Sequence, residues 1–219
     1  VGPMDRTDAT LTPLDGKVAI AGLDLAKTGF LNPSNRGLLD LKATIASKDG
    51  VATVVGNATL SKALLVAGGS PASRPVAVSF DSRYDLRTHR GTLNPSSLKM
   101  GGASARLSGS FDARGEATVV NVKVAGGRMS APELEAFLPA LGIGLPQGAH
   151  LAAGTIEANL NVTGAIGRLV AAGHVGLSKA RLTGFHLGSK MKAISAFTGL
   201  QTGSDLNIDD LTTSVRVAA

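Results

Sequence analysis

The residues capable of chemistry are few and dispersed. Four histidines, His89, His150, His174 and His186, share no metal-ligand spacing, and none stands beside a cysteine or the acidic pair a zinc site uses. His174 and His186 flank a strand-like run that a fold can draw together. The chain has no cysteine, which excludes disulfides, thiolate metal sites and cysteine nucleophiles. It has no Gly-x-Ser-x-Gly elbow for a nucleophilic serine. The segment Gly142-Ile143-Gly144-Leu145-Pro146-Gln147-Gly148 has the glycine density of a phosphate loop. Its spacing is wrong for a dinucleotide fingerprint, however, a proline interrupts it, and it follows a helical pattern where such a loop follows a strand. It reads as a helix-to-strand turn. Acidic residues stand singly except Asp209-Asp210, which reads as a turn. Asn57-Ala58-Thr59 and Asn161-Val162-Thr163 match the glycosylation sequon, a motif short enough to recur by chance. The expectation is a non-enzymatic chain with no metal and no cofactor.

The elements that would carry these residues are mostly strands. Leu39, Leu41, Ala43 and Ile45 alternate with Asp40, Lys42, Thr44 and Ala46. The same period recurs at Val76, Val78 and Phe80, at Val120, Val122 and Val124, at Ile156, Ala158, Leu160 and Val162, and at Leu211, Thr213, Val215 and Val217. Period two gives one apolar and one wet face, the mark of an antiparallel sheet; a parallel sheet covered on both sides has continuous apolar runs. Twenty-eight glycines separate the runs. Asp15-Gly16 and Asp49-Gly50 predict type I′ hairpins, Arg114-Gly115 and Gly126-Gly127 further turns, and Gly68–Pro75 and Asn32–Gly37 loops. Two short helices are expected in the C-terminal half. The first starts at Ser130 with Glu133 at capping-box spacing, carries Leu134, Phe137, Leu138 and Leu141 on one face, is distorted by Pro139 and stops at Gly142. The second runs over 188–198 with Met191, Ile194 and Phe197 inward; Lys190 and Lys192 in its first turn read as a solvated start.

Composition sets further bounds. The chain has 219 residues, 43% hydrophobic but only 3% aromatic, with no tryptophan. A core of Val, Leu, Ile and Ala and an open sheet without a thick core both fit this. The net charge of +6 raises nucleic acid as a partner, but the basic residues form no stripe and almost no aromatics are present to stack bases. An anionic lipid surface suits the charge better. No run approaches the roughly 18 apolar residues of a membrane span. Asp5, Arg6 and Asp8 interrupt any signal-peptide pattern, so the expectation is a segment of a longer protein. A single domain over 1–219 is expected, strand-rich over 1–125 and with both helices in 126–219. On periodicity alone, a closed sandwich and an open trough with an unfilled apolar surface both remain.

The order of motifs in the C-terminal half carries a resemblance. It runs Met129-Ser130-Ala131-Pro132-Glu133-Leu134-Glu135, Leu138-Pro139-Ala140-Leu141-Gly142, Leu145-Pro146-Gln147-Gly148, Gly154-Thr155, Gly173-His174-Val175-Gly176-Leu177, then Ala180-Arg181-Leu182-Thr183-Gly184-Phe185-His186-Leu187-Gly188-Ser189-Lys190. Gly69–Pro75 and Tyr84-Asp85-Leu86 fit the same pattern. This order resembles the C-terminal region of the AsmA family of bacterial envelope proteins, most densely over 84–210. The resemblance implies a periplasmic segment of an inner-membrane-anchored protein, similar to bridge-like lipid transfer proteins. It implies an antiparallel sheet, twisted and curled into an open β-groove, that binds or conducts phospholipid and supports the outer membrane. It carries no catalytic residue. Ile156, Leu160, Val162, Val175 and Leu177 are the expected lining of that groove, or equally the core beneath the two helices. The implied partners are phospholipid or acyl chains, bacterial membranes through an anchor outside this sequence, and other envelope proteins. The alternative is a structural or protein-interaction module of the envelope whose apolar face is internal and which docks through open sheet edges.

Overall fold

The computed structural model describes residues 9–29, 36–146, 148–184 and 205–218. Ten strands form one antiparallel sheet in chain order: β1 (Leu14–Asp24), β2 (Arg36–Lys48), β3 (Val51–Leu64), β4 (Val76–Asp85), β5 (Arg90–Met100), β6 (Ala103–Asp112), β7 (Val119–Ser130), β8 (His150–Ala165), β9 (Val170–Thr183) and β10 (Leu206–Ala218). Each strand pairs with the next, and β1 and β10 have one neighbour each. The sheet is therefore open, as the resemblance implies, and it is uncurled. The described residues form neither a closed sandwich nor a barrel. Position 125/126 falls inside β7, and the sheet runs through it without a break.

Register converts the period-two pattern into two chemically distinct faces, because directly opposed residues of an antiparallel pair point to the same side. Val18, Ala43, Gly56 and Phe80 stand in one row across β1–β4. Leu93, Gly109, Val122, Val162, Ala171 and Val217 continue the apolar side across β5–β10. The other face is wet: Ser97, Arg106, Ala125, Asn159, His174 and Ser214 form one of its rows.

Several local expectations hold and several yield to the ladder. Asp49 and Gly50 have φ of 53° and 81°, the positive pair a type I′ turn requires, and join β2 to β3. The segments 68–75 and 113–118 are connections, as predicted. Asp15-Gly16 is not a hairpin; both residues lie in β1, opposite Ala46 and Ile45. Long-range pairing with β2 takes precedence there over a local turn preference. Gly126-Gly127 is not a turn either. It forms a bulge in β7, where register with β8 shifts between Gly126 and Met129 and Arg128 takes φ 50°. Asp209-Asp210 lies within β10, where Asp210 accepts the Ser178 hydroxyl at 2.6 Å. Gly101-Gly102 makes an unforeseen two-residue link between β5 and β6, with φ 59° at Gly101.

The first expected helix is present but short. α1 spans Ala131–Glu135, followed by a 3₁₀ turn over Leu138–Leu141. Pro139 has no N–H for the Glu135 carbonyl, so the α ladder stops there. Gly142 ends the turn at φ 71°, its N–H bonded to the carbonyls of Leu138 and Pro139. Ser130 is the N-cap residue but its side chain makes no cap bond. The capping box does not form because Glu133 is turned toward the β5–β6 link, where it accepts from the Gly102 N–H at 3.2 Å and pairs with Arg74. The expected helix over 188–198 lies outside the described residues.

Glycine permits close strand approach at specific points. A Cβ on Gly109 would collide with the Asn121 carbonyl oxygen and sit 2.7 Å from Val122 Cα. Gly127 has nothing within 4 Å of its would-be Cβ. The Gly109→Ala variant is expected to unfold with a stability loss of about 2 kcal/mol, which lowers the melting temperature by roughly 4–8 °C. Gly127→Ala should stay within about 0.5 kcal/mol of the parent. Thermal denaturation followed by circular dichroism checks the pair, and equal melting temperatures would contradict the assigned β6–β7 register.

Candidate apolar binding face

Among the described residues, the sheet's apolar side is covered at one end only. A strap between β7 and β8, described over residues 131–146 and 148–149, crosses that end. Leu134 of α1 packs on Ala103, Ala105 and Met129. Leu138 and Leu145 pack on the cluster of Ala131, Ala149, Leu151 and Leu182. Phe137 and Ala140 reach Leu60, Ala63 and Ala72 at the far side of β3 and its following loop. Backbone bonds tie the strap to that loop: Leu65 N–H to Ala140 O at 3.0 Å, Ser70 N–H to Pro139 O at 2.9 Å, and Ser73 N–H to Ala136 O at 3.2 Å. Glu135 ties it to β8, accepting from the Leu151 N–H at 2.6 Å and meeting His150 Nδ1 at 2.8 Å.

The core is accordingly thin and local. The described apolar residues that reach zero exposure are Ala63, Ala131 and Ala140, all at the strap. No large side chain among the described residues is fully buried. Away from the strap, Val54, Phe80, Val122 and Leu160 are only half-buried; they have lateral neighbours in the sheet and, among the described residues, no second layer above them. At the opposite end, Tyr84 stacks on Phe111 with centroids 5.8 Å apart, and the Phe111 ring lies over Gly91, filling the space a side chain there would take.

The five expected lining residues share the apolar face of β8 and β9. Ile156 stands directly opposite Leu177, Val175 opposite Ala158, Leu160 opposite Gly173 and Val162 opposite Ala171. They divide into two groups. Ile156 and Leu177 pack against the strap clusters and belong to the core. Leu160, Val162 and Val175 are half-buried and lie further along the strands, outside every buried cluster. The face extends well beyond these five: Val54, Val78, Phe80, Leu107 and Val122 from β3, β4, β6 and β7 point the same way. Alternation marked several of these strands, but only cross-strand register assigns them to one side.

The polar groups do not converge. His89 occupies the β4–β5 turn with Nδ1 3.1 Å from the Tyr84 hydroxyl. His150 pairs with Glu135, and His174 lies on the wet face between Asn159 and Ser214. His186, Lys190 and Lys192 lie outside the described residues. Among the described residues no three His, Cys, Asp or Glu side chains are placed to hold a metal. Two carboxyls titrate below their ordinary range, for structural reasons. The Arg114 guanidinium and then its backbone N–H hold Asp112 down, and the Thr88 N–H chiefly lowers Asp85. Both serve strand-end turns and remain ionised near neutrality, a poor state for a general acid. Residues 142–146 and 148–149 lie in the connection from the 3₁₀ turn to β8, the helix-to-strand turn read from sequence. Asn57 and Asn161 sit within β3 and β8, and Asn57 accepts the Ser79 hydroxyl at 2.6 Å. Among the described residues no helix is long and apolar enough to cross a membrane.

Comparison with protein-family models, with curated proteins and with solved structures finds no match.

The strap's attachment is open to direct measurement. Glu135→Leu deprives the half-buried Leu151 N–H of its acceptor, at an expected cost of about 1–3 kcal/mol. Urea denaturation should show this loss, and amide exchange at Leu151 should accelerate. Glu135→Gln keeps an acceptor and should cost less. Identical exchange in all three proteins would mean that the carboxylate does not hold the strap.

Proposed function

We propose that this chain is a segment of an AsmA-like envelope protein that lays lipid acyl chains along its apolar sheet face. The observation that carries the reading is one apolar side, continuous across ten strands, over which the strap is the second layer that the described residues supply. Exposed apolar surface of that extent is unfavourable in water, and patches beyond a few hundred Å² commonly mark a binding surface. Acyl chains fit its chemistry. Its rows are aliphatic, so contact is non-directional and a chain can slide without breaking hydrogen bonds. The wet face stays in solvent, and headgroups remain hydrated at the rim. The family resemblance adds the setting: a periplasmic position, an inner-membrane anchor elsewhere in the protein, and phospholipid bound for the outer membrane. The reading assigns no catalytic step. In the alternative reading, the face is internal to an envelope assembly and meets another protein layer.

Native mass spectrometry of the purified chain, with extraction of retained lipid, tests this reading. Phospholipid should be retained at stoichiometric levels. Leu160→Glu places a carboxylate in the uncovered part of the face and should lower retention about tenfold, since burying an unpaired charge against hydrocarbon is costly. Val55→Glu puts the same charge on the wet face, where Val55 is exposed, and should retain lipid like the parent. A lipid-free parent that also fails to take up phospholipid from vesicles supports the protein-layer alternative.

A further inference from the structure

We propose that β10 is a self-association edge, through which two copies of this chain pair antiparallel about a two-fold axis at Thr213. The inference does not depend on the lipid reading. β10 has 13 residues and, among the described residues, pairs on one side only, with β9, so no described strand meets its outward N–H and C=O groups. Edge strands are usually guarded by lysine, proline or a bulge. The other edge, β1, has such guards: Lys17, a register shift between Ile20 and Leu23, and a Gly22 N–H taken up by the Asp40 carboxylate at 2.8 Å. β10 contains no Lys, Pro or Gly, and its pairing with β9 shows no register shift; its charges are Asp209, Asp210 and Arg216, the last two of which pair in the register below.

The sequence of β10 is complementary to itself in one register. Antiparallel pairing centred on Thr213 sets Asp210 opposite Arg216 of the second copy, and symmetry repeats the pair. Leu211 then faces Val215 on the apolar side, and Thr212 faces Ser214 on the wet side. Moving the centre by one residue puts Asp210 opposite Ser214 or Ala218 and loses both ion pairs. The two charged partners are available. Arg216 is exposed and has no ion pair among the described residues. Asp210 bonds Ser178 through Oδ1, leaving its other oxygen for a partner. Leu211, 51% exposed, would gain a cross-strand neighbour. A two-fold axis perpendicular to the sheet keeps both apolar faces on the same side, and an isologous interface of this kind closes at a dimer.

Analytical ultracentrifugation of delipidated protein should show a species of twice the 22.0 kDa chain mass. Arg216→Asp sets like charges opposite at both sites and should weaken dimerisation at least about tenfold. The double variant Asp210→Arg/Arg216→Asp restores opposite charges and should recover it, with circular dichroism confirming that each variant folds. The chain has no cysteine, so disulfide trapping reports geometry cleanly. Thr213→Cys should form a covalent dimer on mild oxidation, because the axis places two copies of position 213 face to face. Ser214→Cys, which would face Thr212, should not. A parent that is monomeric at every soluble concentration overturns the proposal. So does a dimer indifferent to Arg216→Asp, or equal trapping of the two cysteine variants.

Discussion

The structure depends on the antiparallel backbone ladder. In a meander each interior strand satisfies its N–H and C=O groups on both sides without help from side chains. Ten strands, each paired with the next in chain order, hold together this way even though no large side chain among the described residues is fully buried. Because the ladder supplies the framework, the side chains need only sort to two sides. Alternation does that sorting, and apolar residues collect on one side over the full width of the sheet.

This arrangement separates stability from function along the strands. At the strap end, small residues let the covering segment approach closely: Ala63, Ala131 and Ala140 are wholly enclosed. Glu133 and Glu135, on a helix of only five residues, reach out to backbone N–H groups of the β5–β6 link and β8. The strap is fixed by those bonds and its apolar contacts, since so short a helix has little stability of its own. Beyond it, Leu160, Val162 and Val175 have lateral neighbours and, among the described residues, nothing above them. The charge distribution agrees with this division: the low-titrating carboxyls, Asp85 and Asp112, end β4 and β6 at the sheet's other end, and the apolar rows through Phe80 and Leu93 carry no charged side chain.

Some features were legible because their physics is local. The alternation of Ile156, Ala158, Leu160 and Val162 with Glu157, Asn159 and Asn161 marked a strand with one wet side. Asp49-Gly50 marked a hairpin because few dipeptides tolerate two positive φ angles. Pro139 and Gly142 marked where helical geometry must end. The failures were local signals overruled by distant partners. Asp15-Gly16 has turn chemistry, yet β2 claims it as strand. Gly126-Gly127 became a bulge because β7 and β8 must shift register there. Glu133 had capping-box spacing, but the Gly102 N–H and Arg74 drew its carboxylate away from the helix start.

The sequence by itself determined the class of element, the sidedness of each strand and the lack of a nucleophile elbow or cysteine chemistry, since these follow from residue type and period two. Only the tertiary structure decided which strands are neighbours, that the sheet stays open and uncurled, and that Ile156 and Leu177 belong to the core while Leu160, Val162 and Val175 lie outside every buried cluster of the described residues. Those outcomes rest on register and on where one segment crosses the sheet. Both are set by contacts between residues far apart in the chain, and no local pattern encodes them.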